Sequence, residues 1–242
     1  MKKLSAFLFL IFLSSCQVTE TININSDGSG NIELYSLRDE NSMVQIGRHF
    51  TADKFIDTAF VFRDYIKKYQ ETFVRFNKAD QDLFTEHSNV KMQIKVDPIQ
   101  VENFNRVAVD FKKIEQVPNV YESLGLANSL KENYPISKKS YKINYTFDGT
   151  TFKRNLVITD LDKLNQDVKM VEERKKMYAK YKLVQSYTLH YNFPRKIKSV
   201  SNEKAILSAD KKTLSIEFQL SDCYQNPEIT NLEVVLEQKD FQ

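Results

Sequence analysis

Two Asp-Gly dipeptides, each between segments in which apolar and polar residues alternate, constrain the fold of this chain more than any other feature. They are Asp27-Gly28 and Asp148-Gly149. Alternation with a period of two predicts half-buried strands, and a glycine after aspartate supplies the positive φ that tight hairpin turns need. Each dipeptide therefore predicts a β-hairpin. The flanking segments are VTETININ and IELYSL at the first turn, and SYKINYTF and TTFKRNLVI at the second.

Further alternating segments predict that strands make up much of the remaining chain. VKMQIKV (90–96) and FNRVAVDF (104–111) flank Asp97-Pro98, so we expect them to pair with each other. SYTLHYNF (186–193) starts a later group of strands. Three more strands are expected at AILS, TLSIEFQL and TNLEVVL.

An apolar stripe predicts a long helix after the first hairpin, with Thr51 or Asp53 as its N-cap and an end near His87. Large apolar residues recur there at spacings of three and four, which is typical of one helix face. In one interpretation this face packs against the sheet. In another, its aromatic rings line a groove that contacts a lipid or a partner protein. The residues assigned to this candidate groove are Phe55, Phe62, Ile66, Tyr69 and Phe73.

Two more helices complete the expected elements. Asn119 and Glu122 form a capping-box pattern ahead of a helix that should end before Tyr134-Pro135, and Thr159 is the expected N-cap of a helix over about 160–184. Because hairpins outnumber parallel crossovers, the predicted fold class is α+β: a largely antiparallel sheet built from hairpins, with three long helices packed on one face. Residues 17–242 are expected to form the globular part, as one unit or as two subdomains that split near residues 134–139.

The first residues predict export from the cytoplasm. Lys2 and Lys3 precede an apolar run of about ten residues, which is too short for a membrane span and typical of a secretory signal. The quartet LSSC at 13–16 resembles the lipobox of bacterial lipoproteins. This resemblance implies that residues 1–15 are a signal peptide removed by cleavage. It also implies that Cys16 carries a diacylglycerol and a further acyl chain such as palmitate, and that residues 16–25 form a lipidated N-terminus running into the first strand.

The lipid would be the link between this chain and a membrane. Two or three acyl chains anchor a protein almost irreversibly, because each buried CH₂ adds about 0.8 kcal/mol of membrane affinity. Position 17, directly after the cysteine, is Gln and not Asp. In lipoproteins of envelopes with two membranes, the resemblance therefore implies sorting to the outer membrane. The expected location is the cell envelope, lipid-anchored, in the outer membrane and facing the periplasm or the cell surface.

Charge and motifs limit the classes of function. Without Lys2 and Lys3, 33 of the 35 basic residues remain against 32 acidic ones, so the processed chain is almost neutral and no nucleic-acid partner is expected. The three histidines and two cysteines show no metal-ligand spacing, and neither a nucleophile elbow nor a phosphate-binding loop is present. We therefore predict no catalytic residue, no metal site and no cofactor. Cys223 is expected to be a buried, unreactive thiol.

Two stretches resemble LppM-type lipoproteins and related envelope lipoproteins. They are ETININSDGSGNIELY and YTLHYNFPRKIKSVSNEKAILSADKKTLSIEF, the second with Pro194 and Arg195 after a late strand. The resemblance implies a compact α/β domain that holds a lipid or glycolipid between helix and sheet. The chain differs from that family in its long middle helices and in the expected lack of a C-terminal membrane helix.

Three functions are consistent with these features. The preferred prediction is a membrane-anchored lipoprotein of the cell envelope that acts as a non-catalytic binding or assembly module, with an envelope protein or a lipid as ligand. The first alternative is a lipid or glycolipid carrier with an apolar groove between helix and sheet. The second is a hydrolase of envelope polymers. A cavity in the structure would favour the carrier. An exposed apolar patch on a solid core would favour the binding of a partner protein. A polar cleft with convergent acidic side chains would favour the hydrolase.

Overall fold

The computed structural model describes residues 16–38, 54–178 and 185–238, and their strands form two sheets. The strand order is β10-β11-β8-β1-β2-β5-β4-β3 in the large sheet and β6-β7-β12-β9 in the small sheet. The strands are β1 Cys16–Ile24, β2 Gly30–Arg38, β3 Ile56–Val61, β4 Lys91–Asp97, β5 Glu102–Phe111, β6 Tyr141–Phe147, β7 Thr151–Ile158, β8 Ser186–Asn192, β9 Ile197–Val200, β10 Ile206–Leu207, β11 Thr213–Gln219 and β12 Leu232–Leu236.

Antiparallel hairpins build most of both sheets, as the sequence predicts. β1 pairs with β2, β4 with β5, and β6 with β7, all antiparallel. Gly28 and Gly149 have φ of 84° and 93°, which explains the glycine at both Asp-Gly turns. Gly30 is required for a different reason, because a Cβ there would lie 1.9 Å from the carbonyl oxygen of Asn23. The parallel pairing of β1 with β8 brings the late strands into the large sheet.

The small sheet packs on the large one through aromatic side chains. The Phe152 ring lies 5.4 Å from the Tyr191 ring and 5.5 Å from the Phe193 ring, both edge to face. Such pairs add about 0.5–1.5 kcal/mol beyond the burial of their apolar area. One cluster of buried side chains runs from Ile22 to Leu236 and includes strands of both sheets. The proposed split near residues 134–139 remains a prediction.

The helices confirm the α+β class. The longest helix is Leu161–Tyr178, and short 3₁₀ turns lie at Ile114–Gln116, Val120–Glu122 and Pro227–Thr230. The helices are α1 Phe62–Lys68, α2 Gln70–Phe73, α3 Lys78–Glu86, α4 Ser123–Glu132, α5 Leu161–Tyr178 and α6 Leu220–Gln225. Within the described ranges, none of them is long and apolar enough to cross a membrane.

The prediction of one long helix before residue 87 is wrong in its first part. Residues 56–61 form β3, an edge strand on β4, and three short helices follow in place of a continuous one. Four of the six β3 residues are exposed, and their side chains point alternately to the two faces of the sheet. No alternation of apolar and polar residues therefore marks this strand. The proposed N-caps, Thr51 and Asp53, lie outside the described residues. The end at His87 is confirmed, because His87 is the C-cap of α3.

Two predicted helix caps are also wrong. The side chain of Asn119 caps no helix, and the chain passes through a 3₁₀ turn before α4 begins at Ser123. At α5 the cap is Asp160 instead of Thr159, since Asp160 Oδ1 accepts a hydrogen bond of 2.9 Å from the Lys163 amide. α4 ends before Tyr134-Pro135 as predicted, with Asn133 in the left-handed conformation.

Candidate ligand-binding cavity

A cavity of about 190 Å³ lies between α5, α4, α6 and the inner faces of the two sheets. Its volume is below the roughly 300–1,000 Å³ of pockets that hold drug-sized ligands. It exceeds the about 150 Å³ of a dry engineered cavity that binds benzene. The space therefore suits one small apolar group or part of a single acyl chain, but not a whole two-chain lipid.

Most of the cavity wall is apolar. The lining residues come from β1, β2, β6, β7 and β8 and from α4, α5 and α6. An apolar wall favours apolar ligand groups. The apolar lining side chains include Val18, Leu34, Leu124, Leu156, Leu164 and Val171.

Charged side chains line one side of the cavity, where α5 meets the segment before β6. Lys163 and Asp167 on α5 are about one-third exposed, and their charged atoms are 3.9 Å apart. Asp167 also accepts a hydrogen bond of 3.3 Å from the Ser140 hydroxyl. Burial lowers the pKa of Lys139, although Asp167 and Glu122 act in the opposite direction. This side of the cavity is polar and reaches solvent, so it can contact the head group of an amphiphilic ligand.

A buried ion pair lies next to the cavity, and its Arg154 lines the wall. Arg154 from β7 points between the sheets, where its Nε lies 3.3 Å from Glu20 Oε1 and its Nη2 lies 3.4 Å from Glu20 Oε2. Its Nη1 donates to the Thr230 hydroxyl at 2.6 Å and to the Thr230 carbonyl at 3.0 Å. Both charged side chains are almost fully buried. Their mutual bonds satisfy most of the polar atoms that burial removes from water.

Three tyrosine hydroxyls complete the environment of Glu20. Tyr187 donates to Glu20 Oε2 at 2.9 Å and accepts a hydrogen bond of 2.9 Å from Arg154 Nη2. Tyr121 and Tyr191 donate to the same carboxylate, at Oε2 and Oε1. The carboxylate thus accepts hydrogen bonds from both sheets and from the 3₁₀ turn before α4. This cluster of five residues is called the Glu20 cluster below.

The pKa values of the Glu20 cluster keep its charges fixed at neutral pH. Burial alone would raise the pKa of Glu20, but Arg154 and the hydrogen bonds from Tyr121 and Tyr191 outweigh it and hold the pKa below its usual value. Burial would lower the pKa of Arg154, yet the adjacent Glu20 carboxylate raises it well above its usual value. Burial also raises the pKa of Tyr187 well above that of a free tyrosine. Glu20 and Arg154 are therefore both ionised at neutral pH and form a buried ion pair.

Gly125 on α4 leaves part of the cavity wall open. A Cβ at this position would meet no heavy atom within 4 Å, and the backbone is not in the left-handed region. Glycine in a helix interior costs about 0.5–1 kcal/mol relative to alanine. A side chain added at this lining position has room to extend without meeting another atom. Substitution of Gly125 therefore tests whether the cavity holds a ligand.

Cys223 on α6 also lines the cavity. Burial raises the pKa of its thiol to about 12. A thiol with such a pKa stays protonated at neutral pH and is a poor nucleophile. The expected unreactive character of Cys223 is therefore supported by its surroundings.

The five residues of the candidate groove do not share one surface. Phe62 is fully buried and packs on Phe84, while Phe55 is 60% exposed ahead of β3. Ile66, Tyr69 and Phe73 lie half-buried against the core. None of the five lines the cavity.

The remaining predictions concern the lipid anchor and the expected absence of metal and catalytic sites. Cys16 is the first described residue and begins β1, and its lipidation stays a prediction. Within the described ranges, no group of three or more His, Cys, Asp or Glu side chains is arranged to hold a metal ion. The predicted absence of catalytic residues and cofactors stays an expectation.

Sequence reasoning did not find the Glu20 cluster, although a signal for it was present. Glu20 stands between Val18 and Ile22 on the inward face of β1, and Arg154 stands between Phe152 and Leu156 on the inward face of β7. A charged residue at an inward position of a strand indicates a buried partner, since unpaired charges are too costly to bury. The pairing itself joins residues 134 positions apart, so only the fold could reveal it.

Comparisons with known proteins add little to this picture. No protein-family model matches the chain, and no curated protein matches it. Among solved structures, the chain is similar to the NMR structure of the folded domain of the LppM protein of Mycobacterium tuberculosis. The TM-score is 0.38 at 8% sequence identity, over 93% of this chain and 91% of that chain. No conclusion about family or function follows from a likeness at this level.

Proposed function

We propose that this chain is a lipid-anchored protein of the cell envelope, held in the outer membrane, whose globular part binds an amphiphilic ligand in the cavity without catalysis. The observation that carries the proposal is the mostly apolar cavity with charged side chains along its solvent side. An apolar interior with a few polar groups is the usual composition of a ligand site. The proposal joins the expected binding module with the expected carrier, and moves the ligand from the candidate groove to the cavity.

The ligand class follows from the size and charge of the cavity. A space of about 190 Å³ admits part of one acyl chain or a small ring, so the ligand is a single-chain amphiphile. Lys139 and Lys163 line the polar side together with the single carboxylate of Asp167. The ammonium groups of these lysines can donate hydrogen bonds to an anionic head group, such as a carboxylate or phosphate. The Arg154 guanidinium is not counted among these donors, because Glu20 neutralises its charge.

Native mass spectrometry tests the ligand. A soluble chain that begins at Gln17, produced in a bacterial periplasm, is expected to carry an adduct of lipid mass that is lost on denaturation. Gly125→Leu should abolish the adduct, because Gly125 lines the cavity and its added side chain meets no other atom, so that it can fill the space of the ligand. Gly125→Ala is the matched control and should keep it, with an increase in stability of up to about 1 kcal/mol.

Other outcomes would redirect the proposal. A wild-type chain without any adduct would leave a tethered module that binds a partner protein through its surface. An adduct that survives Gly125→Leu would place the ligand outside the cavity. Hydrolysis of envelope polymers by the purified chain would contradict the non-catalytic part of the proposal.

Fractionation of cells tests the anchor. The wild-type chain should sediment with outer membranes, whereas Cys16→Ser should remain unprocessed at the signal peptide, because the thiol that receives the lipid is missing. If processing and membrane association of Cys16→Ser matched the wild type, Cys16 would not be the lipidated residue. Sedimentation with inner membranes would contradict only the proposed sorting.

A further inference from the structure

Four exposed apolar side chains lie together at one end of the large sheet. Ile99 is 91% exposed and Val101 is 47% exposed in the turn between β4 and β5. Phe55 is 60% exposed and Ile56 is 43% exposed at the start of β3, which pairs with β4. Single exposed apolar residues are common on protein surfaces, but a contiguous group marks an interaction site. These four residues are called the apolar tip below.

Strand register puts the apolar tip at the same end of the sheet as Cys16. Gln17, Leu37, Phe104, Lys95 and Asp57 lie in one row across β1, β2, β5, β4 and β3. Four successive antiparallel pairings separate β1 from β3, so these two strands run in the same direction and begin at the same edge. The residue that precedes the row is the first residue of both strands, Cys16 in β1 and Ile56 in β3.

The distance between the anchor and the apolar tip is short. β4 is three strand steps from β1, which corresponds to about 14 Å at the usual strand spacing. β4 continues past the level of Cys16 to Asp97, and the turn with Ile99 extends further in the same direction. A bilayer that holds acyl chains on Cys16 therefore passes beside this turn.

The turn that carries Ile99 is fixed by hydrogen bonds. Asp97 Oδ1 accepts from the Ile99 amide at 2.9 Å and from the Gln100 amide at 3.0 Å. Val101 has a φ of 57°, in the left-handed region that β-branched residues rarely adopt. Lys95 and Glu102 close the base of the hairpin by a hydrogen-bonded ion pair. The exposure of Ile99 is thus built into the hairpin.

Another exposed apolar pair lies elsewhere. Ile206 and Leu207 on β10 are also exposed, but Ile206 is level with Ser215, which is level with His190. His190 in turn is level with Thr21, five residues along β1 from Cys16. These residues lie half way along the sheet, at its other side. Of these two exposed apolar groups, the apolar tip is the one that lies at the end of the sheet that carries Cys16.

We propose that the apolar tip inserts into the same leaflet of the bilayer as the acyl chains on Cys16, and so holds the domain at a fixed orientation on the membrane. The proposal rests on the proposed lipid anchor. Short apolar side chains at a membrane surface gain affinity in proportion to the apolar area they bury. With the tip inserted, the strands of the large sheet run away from the membrane, and the Asp27-Gly28 turn at the opposite end of β1 points into solvent.

An environment-sensitive fluorophore tests the insertion. The full lipidated chain with Cys223→Ser carries the fluorophore at Ile99→Cys, or at Ser26→Cys as the matched control in the exposed turn at the far end of β1. Both proteins are reconstituted in phosphatidylcholine vesicles that contain a doxyl-labelled lipid. The label at position 99 should shift to the blue and be quenched, and the label at position 26 should do neither. Quenching at position 99 should persist at high salt, since the contact is apolar.

The outcomes separate this proposal from the anchor itself. Vesicle-bound protein with an unquenched label at position 99 would overturn the insertion and leave the anchor intact. Protein that fails to remain with the vesicles would overturn the anchor and the insertion together. Equal quenching at positions 26 and 99 would show that the domain lies flat on the membrane, which also contradicts the proposed orientation.

Discussion

The ion pair of Glu20 and Arg154 is the residue-scale feature on which the two sheets depend. Glu20 lies on β1 of the large sheet and Arg154 on β7 of the small one, and Arg154 also lines the cavity. A buried ion pair adds little stability relative to an apolar pair of the same shape, but loss of one partner leaves an unpaired buried charge. The pair therefore joins the two sheets next to the wall of the cavity.

Arg154→Met should destabilise the chain strongly. It leaves the Glu20 carboxylate buried without its counter-ion, at an expected cost of about 3–5 kcal/mol in the free energy of unfolding. Urea unfolding at neutral pH measures this cost. The double variant Glu20→Gln with Arg154→Met should recover most of it, because neither charge remains. A single variant that unfolds at the wild-type urea concentration would contradict the role of the pair.

Acid should weaken the wild type more than that double variant. Because the pKa of Glu20 is lower in the folded chain than its usual value of 4.5, its contribution to stability is fully present above that value. The contribution is lost as the pH falls through the folded pKa. From about pH 5 downward, the unfolding free energy should therefore fall more steeply for the wild type than for the double variant. Parallel pH profiles would mean that Glu20 is not ionised in the folded chain.

At the scale of elements, local signals predicted the hairpins, while long-range contacts decided the rest. The hairpins β1–β2 and β6–β7 can be predicted from alternating apolar and polar residues and an Asp-Gly turn. Both signals lie within a few residues of each turn. β3 depends on pairing with β4, whose paired residues lie 30 to 40 positions later, and its exposed residues show no alternating pattern. The cavity could not be predicted either, because its wall combines residues from both ends of the chain.

The two asparagines ahead of helices should respond differently to removal of their side chains. Asn77 Oδ1 accepts a hydrogen bond of 3.0 Å from the Asp80 amide at the start of α3, so Asn77→Ala should cost about 1 kcal/mol. Asn119 caps no helix, and the oxygen and nitrogen of its side chain are buried without a hydrogen-bond partner among the described residues. Asn119→Ala should therefore cost clearly less. Thermal unfolding of both variants measures the difference, and equal losses would contradict the corrected cap assignment.

At the scale of the whole molecule, the proposed ligand site and the proposed membrane contact lie near the same end of the large sheet. The large sheet presents Cys16 and the apolar tip at one end, and the cavity lies on its inner face beside Val18, two residues from Cys16. A single-chain amphiphile bound in the cavity would thus be held close to the membrane to which the chain is anchored. Neither the lipobox nor the apolar stripe could indicate this arrangement, since it depends on the register of the sheet.

The most direct test of the ligand site is a nuclear Overhauser experiment between protein methyl groups and a bound lipid. Among the five methionines, Met170 lines the cavity, and Met92 is buried in β4 away from it. Methionine-methyl-labelled chain from Gln17, mixed with a lysophospholipid, should show contacts between the acyl CH₂ groups and the Met170 methyl but not the Met92 methyl. A saturated lipid complex without contacts to Met170 would contradict a ligand-binding cavity.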